Sequence, residues 1–282
     1  MPHRCVLFVH GIGPQAEGYS AGLWDALWHH EDPAGSRCYE LFYYDIFDTM
    51  NAKATIAGTA ERYGIDRLIQ VLVRNSALAA KVTGQLQVTL RDTVAHVLYY
   101  TLFDAPRAAI IHKFRVGLVD IIDEARECGF DPPDIELTIV AHSLGTAVAY
   151  AGLHDIVSDP ALGLQNHVRA HNLFTLASPL ELIRSTTSAA GVHVPHVTAG
   201  ICRPTLQDPV TGLARSNIRA WHTYRHRHDP VASLVPLPED LFAGALDVSV
   251  AFGEPGDRDV HDFGKYLARA RGDIIGHIMD YA

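Results

Sequence analysis

The chain has 282 residues, 48% of them hydrophobic, and a formal net charge of −9 with histidines neutral. Length and apolar share suit one large α/β domain with a substantial core, and the negative balance speaks against a nucleic-acid partner and against charge-driven docking on an anionic membrane. The longest charge-free apolar stretch in the middle, Thr93 to Phe103, is too short to span a bilayer, and the amino-terminal run is too short for a signal segment. The four cysteines (Cys5, Cys38, Cys128, Cys202) form no C-x-x-C pair and read as reduced thiols, so a cytoplasmic protein is expected.

Arg4 to His10 (R-C-V-L-F-V-H) reads as a buried strand running into His10-Gly11-Ile12-Gly13-Pro14, where two glycines allow close backbone approach. Tyr19-Ser20 opens a helix carrying Leu23, Trp24, Leu27 and Trp28 at helical spacing. Cys38 to Tyr44 then gives a second strand. Strand, helix, strand at this spacing predicts parallel pairing through a right-handed crossover. From Asp45 to Pro133 nothing reads as a strand, and the pattern is mostly helical. Pro106 interrupts it, and Phe114, Leu118, Ile121, Ile122 and Ala125 define a last helix ending at Cys128-Gly129. One crossover helix would suffice, so the surplus, residues 48–108, is expected to be a helical cap or lid. Its Tyr99-Tyr100-Leu102-Phe103 cluster suits an apolar substrate or, as the alternative, simple burial against the sheet.

Leu137 to Val148 (L-T-I-V-A-H-S-L-G-T-A-V) reads as a β-branched strand, a sharp polar turn and a helix opening on small residues. The turn A-H-S-L-G is G-x-S-x-G with Ala141 in place of the first glycine. Such a turn strains the serine backbone and lifts its hydroxyl clear of the sheet edge. The following helix start offers free N–H groups to an anion. Further strands are expected at His171–Ala177, Ile218–Arg225 and Leu246–Phe252, with residues 180–216 irregular and a terminal helix over Tyr266–Tyr281. Strands alternating with helices mean a parallel sheet covered on both faces.

Reactive groups in such sheets collect at the carboxyl ends of strands. In chain order these ends carry His10-Gly11, Ser143, Asp229 and His261. A serine needs a base near neutrality, for which imidazole is suited, and the imidazole needs a carboxylate to hold its tautomer. Serine, then aspartate, then histidine is the order expected of a triad on this architecture.

Four stretches together resemble the α/β-hydrolases, in the small lipase/esterase branch: V-L-F-V-H-G-I-G, I-V-A-H-S-L-G-T-A, R-H-D-P-V-A and D-V-H-D-F-G-K-Y. The resemblance covers nearly the whole chain outside 48–108 and 180–216. It implies an α/β-hydrolase fold over residues 1–282: a mostly parallel sheet of about six strands flanked by helices, with the cap inserted at 48–108. It implies Ser143 as nucleophile, Asp229 as acid, His261 as general base, and the N–H groups of Leu144 and Ile12 (or Gly13) as oxyanion donors. The implied activity is hydrolysis of a small-molecule or lipid-like ester through an acyl-enzyme, without metal or organic cofactor, in a bacterial cytoplasm. Thioesters or amides could replace the ester, and a non-catalytic binding protein of the same fold is the alternative from another class. Asp208 and Glu181 are rival acids. His277 and His142 are assigned to packing, and His193/His196 and His226/His228 to unrelated surface positions rather than a metal site.

Overall fold

A computed structural model describes residues 3–11, 16–28, 36–49, 96–97, 99–101, 103–158, 170–190, 193–194, 197, 201, 205–207, 214–233, 248–254, 257 and 260–279. The strands are β1 (His3–Val9), β2 (Ser36–Leu41), β3 (Ile135–His142), β4 (Ala170–Leu176), β5 (Thr205–Gln207), β6 (Ala214–Ser216), β7 (Ile218–His226) and β8 (Val248–Phe252). The helices are α1 (Ser20–Trp28), α2 (Tyr44–Thr49), α3 (Asp104–Glu127), α4 (Leu144–Ser158), α5 (Leu180–Ala190), α6 (Pro230–Ser233) and α7 (Phe263–Met279).

Six strands form one sheet in the order β2-β1-β3-β4-β7-β8, every neighbouring pair parallel. Alternation along β1 divides its side chains between two apolar layers. Cys5, Leu7 and Val9 face a cluster holding Ile110, Phe114 and Leu118 of α3 and Val148 of α4. Val6 and Phe8 face one holding Leu27 and Trp28 of α1 and Tyr266, Leu267 and Ile274 of α7. The chain is thus α/β, with helices on both faces of a parallel sheet. Strand order reverses between β1 and β3, because β1 connects outward to β2 while β3 lies on its other side. Such a reversal opens a crevice at the carboxyl ends of the two strands, and it is there that Gly11 and Ser143 meet.

Three details depart from the sequence reading. The break in the helical pattern falls at Phe103, and Pro106 sits in the first turn of the 24-residue α3 that follows, where a missing N–H costs no ladder bond. The segment 180–216 is not irregular throughout: it carries α5 and the antiparallel pair β5–β6. The last helix starts at Phe263, three residues before the expected Tyr266, because the Asp262 carboxylate accepts the Lys265 N–H at 2.9 Å and caps it.

Residues 50–95, and with them most of the expected cap, lie outside the described residues. At its edge, Tyr99 and Tyr100 are buried in the core, the Tyr99 ring packed on Phe47 and Phe103. Among the described residues no helix is long and apolar enough to cross a membrane.

Candidate active site

β3 ends at His142, and the chain turns at once into α4. Ser143, between them, takes a left-handed backbone conformation with φ 52°, a costly state for a residue with a Cβ. Its N–H donates to the Leu176 carbonyl at 2.9 Å, and its carbonyl accepts both the N–H and the hydroxyl of Thr146 at 2.9 and 2.8 Å. With the peptide fixed on both sides, the side chain points into the crevice over Gly11. A Cβ on residue 11 would come 2.5 Å from the Ser143 Cβ and 3.2 Å from its Oγ, so only glycine leaves the hydroxyl its space.

His261 lies on the connection from β8 to α7. Its Nε2 is 2.8 Å from Ser143 Oγ, and its Nδ1 is 2.7 Å from Asp229 Oδ2. Those two contacts fix a tautomer: Nδ1–H donates to the carboxylate, and Nε2 accepts the serine proton. Asp229, at the end of β7, is fully buried. Its Oδ1 accepts the N–H groups of Val231 (2.9 Å) and Ala232 (3.3 Å), capping α6. Its Oδ2 accepts, besides His261, the hydroxyl of Tyr266 at 2.7 Å. A buried carboxylate is tolerable only when its lone pairs are met in this way.

Ser143, Asp229 and His261 therefore stand in one hydrogen-bonded line. Leu144 is the first residue of α4, where the helix itself supplies no acceptor for its N–H. Ile12 and Gly13 lie outside the described residues, as do Asp208, His196 and Cys202. Glu181, buried at the start of α5, is engaged by the Arg184 guanidinium and, among the described residues, by no histidine. His277, in the last turn of α7, packs its ring against His222 and Phe174. His226 is buried, not at the surface as the sequence suggested, and pairs with Asp257; no metal-ligand group of three or more side chains occurs among the described residues.

The sequence reading missed the tyrosines that hold these pieces. The Tyr43 hydroxyl donates to the His10 carbonyl at 2.6 Å, and the Tyr19 hydroxyl accepts the His10 N–H at 3.1 Å and donates to the Phe8 carbonyl at 2.9 Å. Together they clamp the peptide that leads into Gly11. Tyr19 lies one residue before α1, and Tyr43 lies two residues past the end of β2. Nothing in their spacing marks the His10 peptide as the common partner.

That clamp makes Gly145 critical. A Cβ there would strike the carbonyls of Val9 and His10, the second at 2.5 Å. Both belong to a main chain that the two tyrosines and the β1 ladder prevent from retreating. Overpacking ordinarily costs about 1–3 kcal/mol; pressed against immobile backbone, Gly145→Ala is expected at the top of that range. Ala141→Gly, four residues earlier, should cost about 1 kcal/mol. Urea midpoints of the two variants check the order, and equal midpoints would contradict it.

His142 lies behind the line, stacked on Phe263 at 4.7 Å and 5.0 Å from the His261 ring. Among the described residues, neither of its ring nitrogens makes a hydrogen bond of good geometry. Burial first, then the neighbouring His261 and His10, holds it well below the ordinary histidine value of 6.5. The unfolded chain protonates this ring below about pH 6.5 and the folded chain does not, so U binds more protons there. Stability is complete above that pH and falls as pH drops toward the depressed native value, by at most about 1.4 kcal/mol per pH unit for one group. His142→Phe should flatten the acid limb of a stability–pH curve from urea melts. An unchanged slope would assign the acid sensitivity elsewhere.

No family model matches this chain, and a comparison with curated proteins gives no match either.

Proposed function

We propose that this protein is a serine hydrolase of the α/β-hydrolase type, cleaving carboxylic esters with an apolar acyl or alcohol part. One observation carries the reading: the unbroken line Ser143 Oγ, His261, Asp229, with gaps of 2.8 and 2.7 Å, at the carboxyl ends of β3 and β7. The strained serine and the glycine beneath it support the same reading, since neither is needed by an ordinary strand-to-helix turn.

In this mechanism His261 Nε2 takes the hydroxyl proton as Ser143 Oγ attacks the ester carbonyl. Asp229 stabilises the imidazolium without taking its proton. The tetrahedral oxyanion is met by the Leu144 N–H at the head of α4 and by a second N–H after Gly11, for which Ile12 is the candidate. His261 then protonates the departing alcohol, and water, activated by the same imidazole, releases the acid and restores Ser143.

The test is a panel of p-nitrophenyl esters from short to long acyl chains, run beside acyl-thioesters of matched length and a fluorophosphonate probe. Ester turnover with the probe attached to the Ser143 peptide is expected. Preference for the thioesters would keep the triad and change the substrate class. Neither turnover nor labelling in the folded protein would leave a binding protein as the better account.

A further inference from the structure

We propose that Tyr266 is a positioning residue for the acid–base pair, a role that rests on the triad reading above. Its hydroxyl stands between two fixed partners. The His226 N–H points at it from 2.7 Å, so the phenol oxygen accepts there, and its single proton is left for Asp229 Oδ2, also at 2.7 Å. The direction of the bond is therefore set by the main chain of β7. Burial first, and the Asp229 charge next, drive this phenol far above its ordinary value, which keeps the proton on it.

The His226 peptide is itself held. The ring Nδ1 accepts the His228 N–H at 3.1 Å, leaving Nε2–H to donate to Asp257 Oδ2 at 2.8 Å. Asp257 Oδ2 also accepts the Glu254 N–H, on the segment that runs on to His261. A Cβ on Gly253 would strike the His226 ring, so that segment lies tight against it. β7 thus fixes the carboxylate through Tyr266 and the approach of the imidazole through His226.

The consequence is electronic as well as geometric. Asp229 Oδ2 shares its negative charge between Tyr266 and His261. Without the tyrosine proton, all of it faces the imidazole and favours the imidazolium. In Tyr266→Phe the acid limb of kcat/KM should move to higher pH, and kcat should fall about tenfold or more with KM little changed. Tyr224→Phe is the control for lost packing. That residue is also buried, and its hydroxyl donates to Asp273 of the same helix α7, not to Asp229. It should leave the pH profile in place.

A second readout needs no turnover. The His261 Nδ1 proton, seen by NMR as a strongly downfield resonance absent from His261→Ala, should shift in Tyr266→Phe and not in Tyr224→Phe. A wild type that shows this resonance but hydrolyses nothing would refute the hydrolase reading and leave the Tyr266 contact measurable. An identical resonance and an identical acid limb in wild type and Tyr266→Phe would overturn the proposal.

Discussion

Ser143→Ala should lower kcat on the best ester by about five to six decades while leaving a folded protein. Ser143 is buried, and the change removes one oxygen and one hydrogen bond to His261, a loss of about 1 kcal/mol. The left-handed turn survives, because Leu176, Thr146 and the α4 start hold the peptide and none of them uses the hydroxyl. What disappears is the attacking atom. Residual rate would come from the oxyanion donors and from substrate positioning, which are untouched. The second half of the experiment is His261→Ala alone and in combination with Ser143→Ala. A base with no nucleophile to serve contributes nothing, so the double variant should be no slower than the serine variant. Additive losses would mean that the two residues act separately and that their 2.8 Å contact is incidental.

The three residues at strand ends were legible in the sequence because each is polar chemistry set against an apolar β pattern. I-V-A-H-S-L-G announces its own turn, and R-H-D-P-V and V-H-D-F follow strands that alternation identifies. Distance was not legible. Asp229 and His261 are 32 residues apart, and Ser143 and His261 are 118 apart; only the order of strands in the sheet decides that they meet. The tyrosines illustrate the limit. Tyr266 sits in a helix whose stripe of Phe263, Tyr266, Leu267, Ala270 and Ile274 reads as core filling, and core it is. That its hydroxyl also finds Asp229 depends on how α7 packs beside β7, which no local pattern encodes. The helix α5 was obscured for a different reason. Arg184-Ser-Thr-Thr-Ser is a poor helix former by intrinsic preference, and the helix forms because Leu180, Leu182 and Ile183 are buried. Packing, not propensity, decides such a segment.

Asp229→Asn should lower kcat by roughly four decades. The amide matches the carboxylate in shape, so the argument is about protons alone. Four contacts of the Asp229 carboxylate decide the outcome: two backbone N–H groups on Oδ1, and His261 with Tyr266 on Oδ2. An asparagine has one oxygen to place. With that oxygen toward Val231 and Ala232, its NH2 faces His261, and the imidazole must turn its lone pair to Nδ1 and its proton to Nε2. In that tautomer Nε2 can no longer receive the Ser143 proton. With the oxygen toward His261 instead, the NH2 opposes two backbone N–H groups in a fully buried site, a clash of donors costing about 1–3 kcal/mol for each one stranded. The first arrangement opposes one further donor, the Tyr266 hydroxyl, where the second opposes two backbone N–H groups, so the first is favoured and the wrong tautomer prevails. Measured turnover should recover partly as pH rises and hydroxide replaces the missing base, a signature that Ser143→Ala cannot share because it has no nucleophile to activate. An Asp229→Asn variant within tenfold of wild type across the pH range would mean that His261 is oriented by something other than this carboxylate.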